Sequence, residues 1–258
     1  MVSLRVAGAT DTGAVRSHNE DNFLAQYPVF IVADGMGGHS AGEVASAIVV
    51  EEFRELLSKG DLTQSMITAA IEKANSNIYK SAAVIPERSG MGTTLVGLVM
   101  ILESGLPYWM AFNIGDSRLY CMTSESLSLV TRDHSRVQEL VDSGELTLAE
   151  ARTSNERNVI TRAMGVEPTV IADIWLLSPR QGDRFLICSD GLTSELENHD
   201  IEEILRNNGT VDSACRKLIE AATREGGRDN ITAIVIDVES EFETSDGDTL
   251  PKHSISGN

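Results

Sequence analysis

An apolar run that ends on a carboxylate limits the possible folds of this chain more than any other feature. Residues 30–33 are typical of a buried strand, and Asp34 and Gly35 follow them directly. A glycine-rich turn then leads into residues 42–57, whose apolar side chains recur at helical spacing. The same strand ending in an Asp-Gly pair recurs at residues 185–191. We therefore expect two carboxylates held by rigid backbone, and the repetition raises the hypothesis that they meet at a metal ion.

Short strands joined by tight turns follow in the middle of the sequence. Successive strands are predicted at residues 92–102, 107–114 and 118–122. Such strands favour antiparallel pairing, and residues 115–117 are predicted to form a hairpin turn with Asp116 at its tip. Helix pairs are predicted on either side, at residues 42–57 with 63–83 and 200–206 with 211–224. Since the sequence contains neither an internal repeat nor an interdomain linker, we expect one α+β domain over residues 1–238, with stacked sheets covered by helices.

Two polar segments are predicted to lie outside the packed core. Residues 142–165 are poor in large apolar side chains, which is typical of a mobile surface flap. Residues 239–258 carry five acids against one lysine, together with many serines and threonines. This composition predicts an acidic, disordered tail.

Charge and cysteine content narrow the class of protein. A formal net charge of -18 at pH 7 argues against non-specific binding to nucleic acid or to an anionic membrane. The three cysteines are far apart and odd in number, which favours free thiols in a reducing compartment: Cys121, Cys188 and Cys215. No apolar stretch approaches the length of a membrane-spanning helix. We expect a cytoplasmic protein, with a monomer as the default state.

Four acids stand where a predicted strand begins or ends, each beside a glycine or an asparagine: Asp34, Asp116, Asp190 and Asp229. Taken singly, each is more often a turn residue or a helix cap. Their repetition in one chain favours a shared role, and an all-oxygen cluster suits Mg²⁺ or Mn²⁺ and not a zinc cage. Two such ions close together are used for the hydrolysis of phosphate esters.

Arg16 supplies a candidate phosphate ligand ahead of the first acids. A guanidinium can bind two phosphate oxygens at once. The alternative is a surface ion pair with Glu20 or Asp21, and the spacing leaves both possibilities open.

Six motifs, in this order along the chain, resemble those of the metal-dependent Ser/Thr protein phosphatases of type 2C. They are Arg-Ser-His-Asn-Glu-Asp (16–21), Val-Ala-Asp-Gly-Met-Gly-Gly (32–38), Gly-Thr-Thr (92–94), Asn-Ile-Gly-Asp-Ser-Arg (113–118), Ser-Asp-Gly-Leu (189–192) and Gly-Arg-Asp-Asn-Ile-Thr (227–232). The similarity extends over residues 4–238 and is greatest to the compact bacterial members. It implies a four-layer α/β/β/α sandwich, in which two antiparallel sheets are flanked by pairs of helices.

The resemblance also implies the ligands of the ions. Asp34 would bridge two Mn²⁺ or Mg²⁺ ions, and the Gly35 carbonyl would bind the second ion. Asp190 and Asp229 would complete the first site. Asp116, together with Asp190, would hold a third and weaker ion.

Further roles implied by the resemblance concern water, phosphate and the flap. Asp21 and Glu20 would orient metal-bound waters, and Arg16 would bind the substrate phosphate. Asn230 would support Asp229. The flap at residues 142–165 would influence substrate choice, and one of its carbonyls would reach the third ion.

The implied reaction is a single in-line step in which a metal-bridged water attacks phosphorus, while Arg16 and the ions neutralise the oxyanion. The identity of the general acid is open. Eukaryotic relatives carry a histidine where this chain has Met36, so His39 and a metal-bound water are the two candidates. His134 is interpreted as a loop histidine with local hydrogen bonds.

The predicted function is dephosphorylation of phosphoserine and phosphothreonine proteins, in opposition to a bacterial Ser/Thr kinase. A catalytically weak relative that only binds phosphoproteins is the alternative, and a relative restricted to one regulatory partner is another. The presence of Asp34, Asp190 and Asp229 favours the active enzyme. Cysteine chemistry at Cys188 is disfavoured because no arginine-rich phosphate loop follows it. A serine hydrolase is also disfavoured, since it would need both a Gly-x-Ser-x-Gly nucleophile turn and a histidine partner.

Overall fold

Two antiparallel sheets stacked face to face form the centre of the molecule, for which a computed structural model describes residues 3–37 and 41–240. The first sheet has the strand order β1-β11-β10-β7-β8, and the second has the order β2-β3-β5-β6-β9 with β4 paired to β3. The strands in these residues are β1 (Leu4–Asp11), β2 (Asp21–Gln26), β3 (Val29–Met36), β4 (Gly92–Thr93), β5 (Leu95–Glu103), β6 (Leu106–Ile114), β7 (Arg118–Met122), β8 (Leu127–Leu129), β9 (Asp173–Leu177), β10 (Arg184–Cys188) and β11 (Ile231–Val238).

Helices cover the outer faces of both sheets. The α-helices in the described residues are α1 (Ala41–Arg54), α2 (Gln64–Val84), α3 (Arg136–Asp142), α4 (Leu148–Thr153), α5 (Asp190–Thr193), α6 (Asn198–Asn207) and α7 (Val211–Glu225). Helices α1 and α2 pack on the second sheet, and α6 and α7 pack on the first. The four layers confirm the predicted α+β sandwich. Among residues 3–37 and 41–240, no helix combines the length and the apolar character needed to cross a membrane.

The alternation of side chains along β11 explains why every residue of this strand is buried. Ala233 and Val235 face the core beneath α6 and α7, whereas Ile234 and Ile236 face the core between the sheets. Successive side chains of a strand point to opposite faces, so a strand covered on both sides is predominantly apolar. The mostly apolar sequence of β11, interrupted by Thr232 and Asp237, therefore follows from its position between two layers.

The predicted hairpin at residues 115–117 is wrong. Strand β6 pairs with β5 and β9, whereas β7 pairs with β10 and β8 in the other sheet. The turn crosses between sheets, because apolar patterning identifies strands but not their partners. Gly115 has a φ of 110°, and a Cβ at this position would lie 2.6 Å from Thr94 Cγ2. The crossover therefore requires glycine at position 115. Asp116 follows it, in the segment that connects the two sheets.

The ends of the described fold meet at the edge of the first sheet. Strand β1 pairs with β11 from Leu4 opposite Val238 to Asp11 opposite Ile231. The domain boundary at residue 238 stays a prediction. Of the predicted acidic tail, residues 241–258 lie outside the described residues.

Candidate metal centre

Asp21 and Asp34 lie opposite each other on the paired strands β2 and β3. Asp21 is buried, and its Oδ2 accepts hydrogen bonds from Ser189 Oγ and Thr232 Oγ1, both at 2.7 Å. Its Oδ1 is buried without a hydrogen-bond partner among the described residues. Burial raises the pKa of Asp21 to about 7, since the two hydroxyl donors offset the desolvation of the carboxylate only in part. One oxygen of this carboxylate is therefore available to another donor or to a cation.

The backbone around Asp34 is fixed by two threonines. Asp34 N–H donates to Thr94 Oγ1 at 3.0 Å, and Asp34 O accepts hydrogen bonds from Thr93 Oγ1 and Thr94 N–H, both at 2.9 Å. The Asp34 side chain lies among acids. Burial and then repulsion, foremost from Asp21 and Asp190, hold its pKa well above the ordinary value of a carboxyl group.

Asp190 and Asp116 complete the group of acids, in which Asp21 and Asp116 are buried and Asp34 and Asp190 are partly buried. Asp190 is the first residue of α5, and its carboxyl group lies close to that of Asp34. Its pKa is raised by burial and by the charge of Asp229. Asp116 is 7% exposed, and its Oδ1 is buried without a hydrogen-bond partner in the described part of the chain. Burial and repulsion from Asp190 hold the pKa of Asp116 well above its ordinary value. Asp34, Asp116 and Asp190, which are far apart in the sequence, thus lie close enough to repel one another.

Asp229 lies at the edge of this group and forms an ion pair with Arg16. Arg16 Nη2 donates to Asp229 Oδ2 at 2.7 Å, and the two side chains are 52% and 38% exposed. The alternative prediction for Arg16 named Glu20 or Asp21 as its partner, and the structure has Asp229 instead. Loop 12–20 packs against the loop before β11, as the 2.7 Å hydrogen bond from Ala14 N–H to Gly227 O shows, so the partner is 213 residues away in sequence.

Gly35 and Glu20 connect β3 to the first turn of α1. Gly35 N–H donates to Glu20 O at 3.2 Å, and a Cβ on Gly35 would lie 2.2 Å from Gly42 O. Only glycine allows this contact between two backbones. The Glu20 side chain, predicted to orient metal-bound waters, accepts a hydrogen bond from Gly42 N–H at 3.2 Å through Oε1. The carboxylate thereby meets one of the free N–H groups at the start of α1, where negative charge is stabilising.

Asn230 links three backbone positions of the first loop. Its Nδ2 donates to Thr12 O at 3.0 Å and to His18 O at 2.9 Å, and its Oδ1 accepts from Glu20 N–H at 2.8 Å. Asn230 N–H also donates to Asp229 Oδ1 at 2.9 Å. Asn230 therefore connects Asp229 to the first loop, and its supporting role stays a prediction.

The two histidine interpretations have different outcomes. His39 lies outside the described residues. His134 is 3% exposed, and its Nδ1 accepts a hydrogen bond from Gly115 N–H at 3.0 Å. Its Nε2 lies 3.3 Å from Asp173 Oδ2 but is not aligned for a hydrogen bond. His134 lies in a loop as interpreted, but the expectation of local hydrogen bonds is wrong, because its partners come from distant segments that fold against it.

The end of the flap at residues 142–165 is anchored to the site. Thr93 and Met164 exchange backbone hydrogen bonds, with Thr93 N–H to Met164 O at 3.2 Å and Met164 N–H to Thr93 O at 2.9 Å. Asn75, in α2, accepts from Gly165 N–H at 2.7 Å and donates to Glu167 O at 3.0 Å. Since Thr93 also bonds to Asp34 O, the base of the flap and the central acid share one support.

The donor chemistry of this group fits a hard divalent cation. Carboxylate oxygens and a backbone carbonyl are the ligands that Mg²⁺ and Mn²⁺ prefer, and buried like charges are stabilised by a cation. Within residues 3–37 and 41–240, no group of three or more His, Cys, Asp or Glu side chains is arranged to hold a metal ion as it stands. Asp21 Oδ2 is bonded to hydroxyls and Asp229 Oδ2 to Arg16. A cation at Asp229 would therefore compete with Arg16 for this oxygen.

The sequence motifs contained several residues whose roles were not predicted. Ser189 and Thr232 donate to Asp21, and Thr94 Oγ1 lies 2.7 Å from Ser117 Oγ beneath Asp34 and Asp116. The available signal was a hydroxyl residue adjoining or within an otherwise apolar strand, because a buried hydroxyl needs a partner.

Comparison with known proteins agrees with this geometry. A family profile described as protein phosphatase 2C matches residues 14–235. The chain is 41% identical over 241 residues to serine/threonine protein phosphatase PstP of Mycobacterium tuberculosis. This alignment covers 91% of this chain but only 45% of PstP. It is 36% identical over 240 residues to serine/threonine phosphatase stp of Listeria monocytogenes, covering 88% of this chain and 93% of stp.

A solved structure of the PstP catalytic domain, in complex with two manganese ions, superimposes with a TM-score of 0.83 at 37% identity. The match covers 93% of this chain and all of that one. Sequence and fold agree. The chain therefore belongs to the protein phosphatase 2C family.

Proposed function

We propose that this chain is a metal-dependent protein phosphatase that hydrolyses phosphoserine and phosphothreonine. The observation that carries the proposal is the group of mutually repelling acids Asp21, Asp34, Asp116 and Asp190, with Arg16 and Asp229 at its edge. Such a group is unfavourable while all of its members are charged, and either protons or a divalent cation neutralise it. The relatives that are named serine/threonine phosphatases, and the manganese-containing PstP domain, support the proposal.

The proposed ligands of two Mn²⁺ or Mg²⁺ ions are Asp34, the Gly35 carbonyl, Asp190 and Asp229. The unpartnered Oδ1 of Asp116, close to Asp190, supports a third site. Asp21 Oδ1 also lacks a partner among the described residues, and it suits a hydrogen bond from an ordered water. Divalent ions bound here supply Lewis-acid activation of water and neutralise the charge of the phosphate.

Arg16 is the proposed phosphate ligand. Its guanidinium is half exposed and paired at one nitrogen with Asp229, so it stands at the edge of the acidic group and in contact with solvent. Transfer of Asp229 to a cation frees Arg16 Nη2, and the planar guanidinium then has two parallel donors for phosphate oxygens. The hydrogen bonds of Asp34 to Thr93 and Thr94, and those of Asn230 to the first loop, keep the backbone around Arg16 in place when its side chain changes partner.

Phosphorylated Ser/Thr proteins are the proposed substrates, and a bacterial Ser/Thr kinase is the proposed opposing enzyme. Because the chain spans less than half of PstP, these partners are inferred from the catalytic region alone. The monomeric state, the cytoplasmic location and the mobility of the flap at residues 142–165 stay predictions.

The proposal is tested by hydrolysis of p-nitrophenyl phosphate and of a phosphothreonine peptide, with Mn²⁺, with Mg²⁺ and with EDTA. We expect turnover that requires added metal and stops with EDTA. Folded protein that binds a phosphopeptide but hydrolyses neither substrate with any metal would replace the proposal by the phosphoprotein-binding alternative.

A further inference from the structure

The carboxylate of Glu195 joins the two chain segments that carry Asp190 and Asp229. Glu195 lies just beyond α5, the helix that begins at Asp190. Its Oε1 accepts hydrogen bonds from the Arg228 backbone N–H at 3.0 Å and from Arg228 Nε at 2.9 Å. Its Oε2 accepts a third from Arg228 Nη2 at 2.7 Å. One side chain therefore binds both the backbone and the side chain of the residue that directly precedes Asp229.

Glu195 and Arg228 differ in their exposure to solvent. The Glu195 side chain is 1% exposed, whereas the Arg228 side chain is 67% exposed. The Arg228 guanidinium thus forms a shallow cover over the carboxylate. The hydrogen bond from this guanidinium lowers the pKa of Glu195, so the carboxylate is charged at neutral pH and fully able to accept.

Gly226 allows the carboxylate to lie directly against the loop. A Cβ at Gly226 would lie 2.9 Å from Glu195 Oε2 and 3.1 Å from Oε1. A side chain there would displace the carboxylate from the Arg228 backbone. The absence of a side chain at Gly226 thus lets the end of α7 pack directly against the Glu195 carboxylate, in the segment after α5.

The other anchors of this loop connect it to a different part of the chain. Ala14 N–H donates to Gly227 O at 2.7 Å, and Asn230 Nδ2 donates to Thr12 O and His18 O. Those bonds fix the loop relative to the residues before β2. The bonds of Glu195 fix the same loop relative to Asp190, next to the contact where Gly191 packs against Asn230 O.

We propose that Glu195 is a positioning residue that sets the separation of the Asp190 and Asp229 carboxylates and thereby strengthens divalent-cation binding. This inference rests on the metal-dependent function proposed above. Glu195 is not itself assigned as a ligand, since both of its oxygens are directed at Arg228. Groups that orient metal ligands typically change metal affinity by about 10- to 100-fold when they are replaced.

The test compares Mn²⁺ binding by calorimetry in the wild type, Glu195→Ala, Glu195→Gln and Arg228→Ala. Glu195→Ala removes all three bonds and is expected to weaken binding by about 10-fold. Glu195→Gln keeps the shape of the side chain and one acceptor oxygen, so its loss is expected to be smaller than that of Glu195→Ala but larger than that of Arg228→Ala. Arg228→Ala is the matched control, because it removes the exposed guanidinium but keeps the backbone bond, and its loss is expected to stay within about threefold.

Two further readouts separate positioning from a merely structural role. We expect kcat at saturating Mn²⁺ and the Tm in EDTA to stay close to those of the wild type in Glu195→Gln. Unchanged Mn²⁺ affinity in Glu195→Ala and Glu195→Gln would overturn the inference and leave the proposed function intact. If Glu195→Ala does not fold, a loss in Arg228→Ala as large as that in Glu195→Gln would also overturn it. A wild type that binds no Mn²⁺ would instead remove the proposed function together with the inference.

Discussion

Arg16 Nη2 lies 2.7 Å from Asp229 Oδ2, so the proposed phosphate ligand is paired with a proposed metal ligand. One carboxylate oxygen cannot at the same time bind a guanidinium and a cation at full strength. Metal binding at Asp229 and release of Arg16 toward substrate are therefore expected to be linked. Because both side chains are partly exposed, the pair contributes only on the order of 0–1 kcal/mol.

Replacing Arg16 by alanine is expected to affect metal and substrate in opposite directions. Loss of the competing cation strengthens Mn²⁺ binding by a factor of about five or less, which corresponds to an exposed pair. Loss of the phosphate ligand raises KM for a phosphopeptide more than it lowers kcat. Calorimetry and steady-state kinetics measure the two effects. Arg5→Ala is the control, since Arg5 pairs with Glu239 and is likewise 52% exposed but lies outside the site; weaker Mn²⁺ binding in Arg16→Ala would contradict the linkage.

Asp190→Ala should abolish metal-dependent turnover while the protein stays folded. Asp190 lies at the centre of the acidic group, in contact with Asp34 and close to Asp116 and Asp229. The expected loss exceeds about 100-fold, the upper range for partners that only orient a metal ligand. Removing one of several repelling carboxylates is also expected to raise the Tm in EDTA. Hydrolysis of p-nitrophenyl phosphate and thermal unfolding decide this, and a variant with wild-type turnover would refute the assignment of the site.

His134 is expected to make the stability of the protein depend on pH in a metal-independent way. Burial is the largest cause that lowers the pKa of His134, and the charge of Arg162 adds to it, while Asp173 opposes both and Arg132 contributes least. The folded state therefore binds fewer protons than the unfolded state. This contribution to stability is present above the unfolded pKa of about 6.5 and is lost as pH falls below it.

The variant His134→Gln isolates this contribution. Glutamine keeps an acceptor for Gly115 N–H but does not titrate. In urea unfolding with EDTA, the wild type is expected to have a higher free energy of unfolding than His134→Gln at pH 7.5. This difference should shrink toward pH 5, because the wild type loses stability as the histidine of its unfolded state binds a proton. A difference that is constant from pH 7.5 to pH 5 would mean that His134 does not titrate differently in the two states.

Patterns within one segment were sufficient to predict most of the elements. Strand β11 was predicted at residues 231–238 and is observed as Ile231–Val238, because a strand buried on both faces is predominantly apolar. The two carboxylates were predicted for a similar reason, since Asp34 directly follows such an apolar run and Asp190 follows one after Ser189. Local patterning carries this information because burial is a property of the segment.

Partners from distant segments could not be predicted in this way. The turn at Gly115 was assigned to a hairpin although it crosses between sheets, since the pattern of a strand does not specify its neighbour. The hydrogen bond from Gly42 N–H, at the start of α1, to Glu20 forms only after the sheets have stacked. The same is true of the hydrogen bonds from Arg228 to Glu195. Buried polar residues mark such contacts in the sequence but do not identify the partner.

Asn75 is the clearest of these long-range contacts, since it connects α2 to the base of the flap. The side chain is 1% exposed and forms hydrogen bonds with Gly165 N–H and Glu167 O, 90 and 92 residues away. Gly165 has a φ of 82°, and a Cβ there would lie 2.1 Å from Ile78 Cγ2, so the backbone of the flap base packs tightly against α2. Asn75 thereby fixes the point from which residues 142–165 extend.

Asn75→Ala is expected to destabilise the protein and to change substrate use, because the buried N–H of Gly165 and carbonyl of Glu167 lose their partner. The expected loss in the free energy of unfolding is about 1–3 kcal/mol, as for a buried polar group left without a hydrogen bond. Since the flap base and Asp34 O share Thr93, the kcat/KM for a phosphothreonine peptide should fall more than that for p-nitrophenyl phosphate. Asn77→Ala, on the same helix, removes a bond to Glu52 and serves as the control. Equal losses for both substrates, or equal effects of the two variants, would show that Asn75 supports the fold without directing the flap.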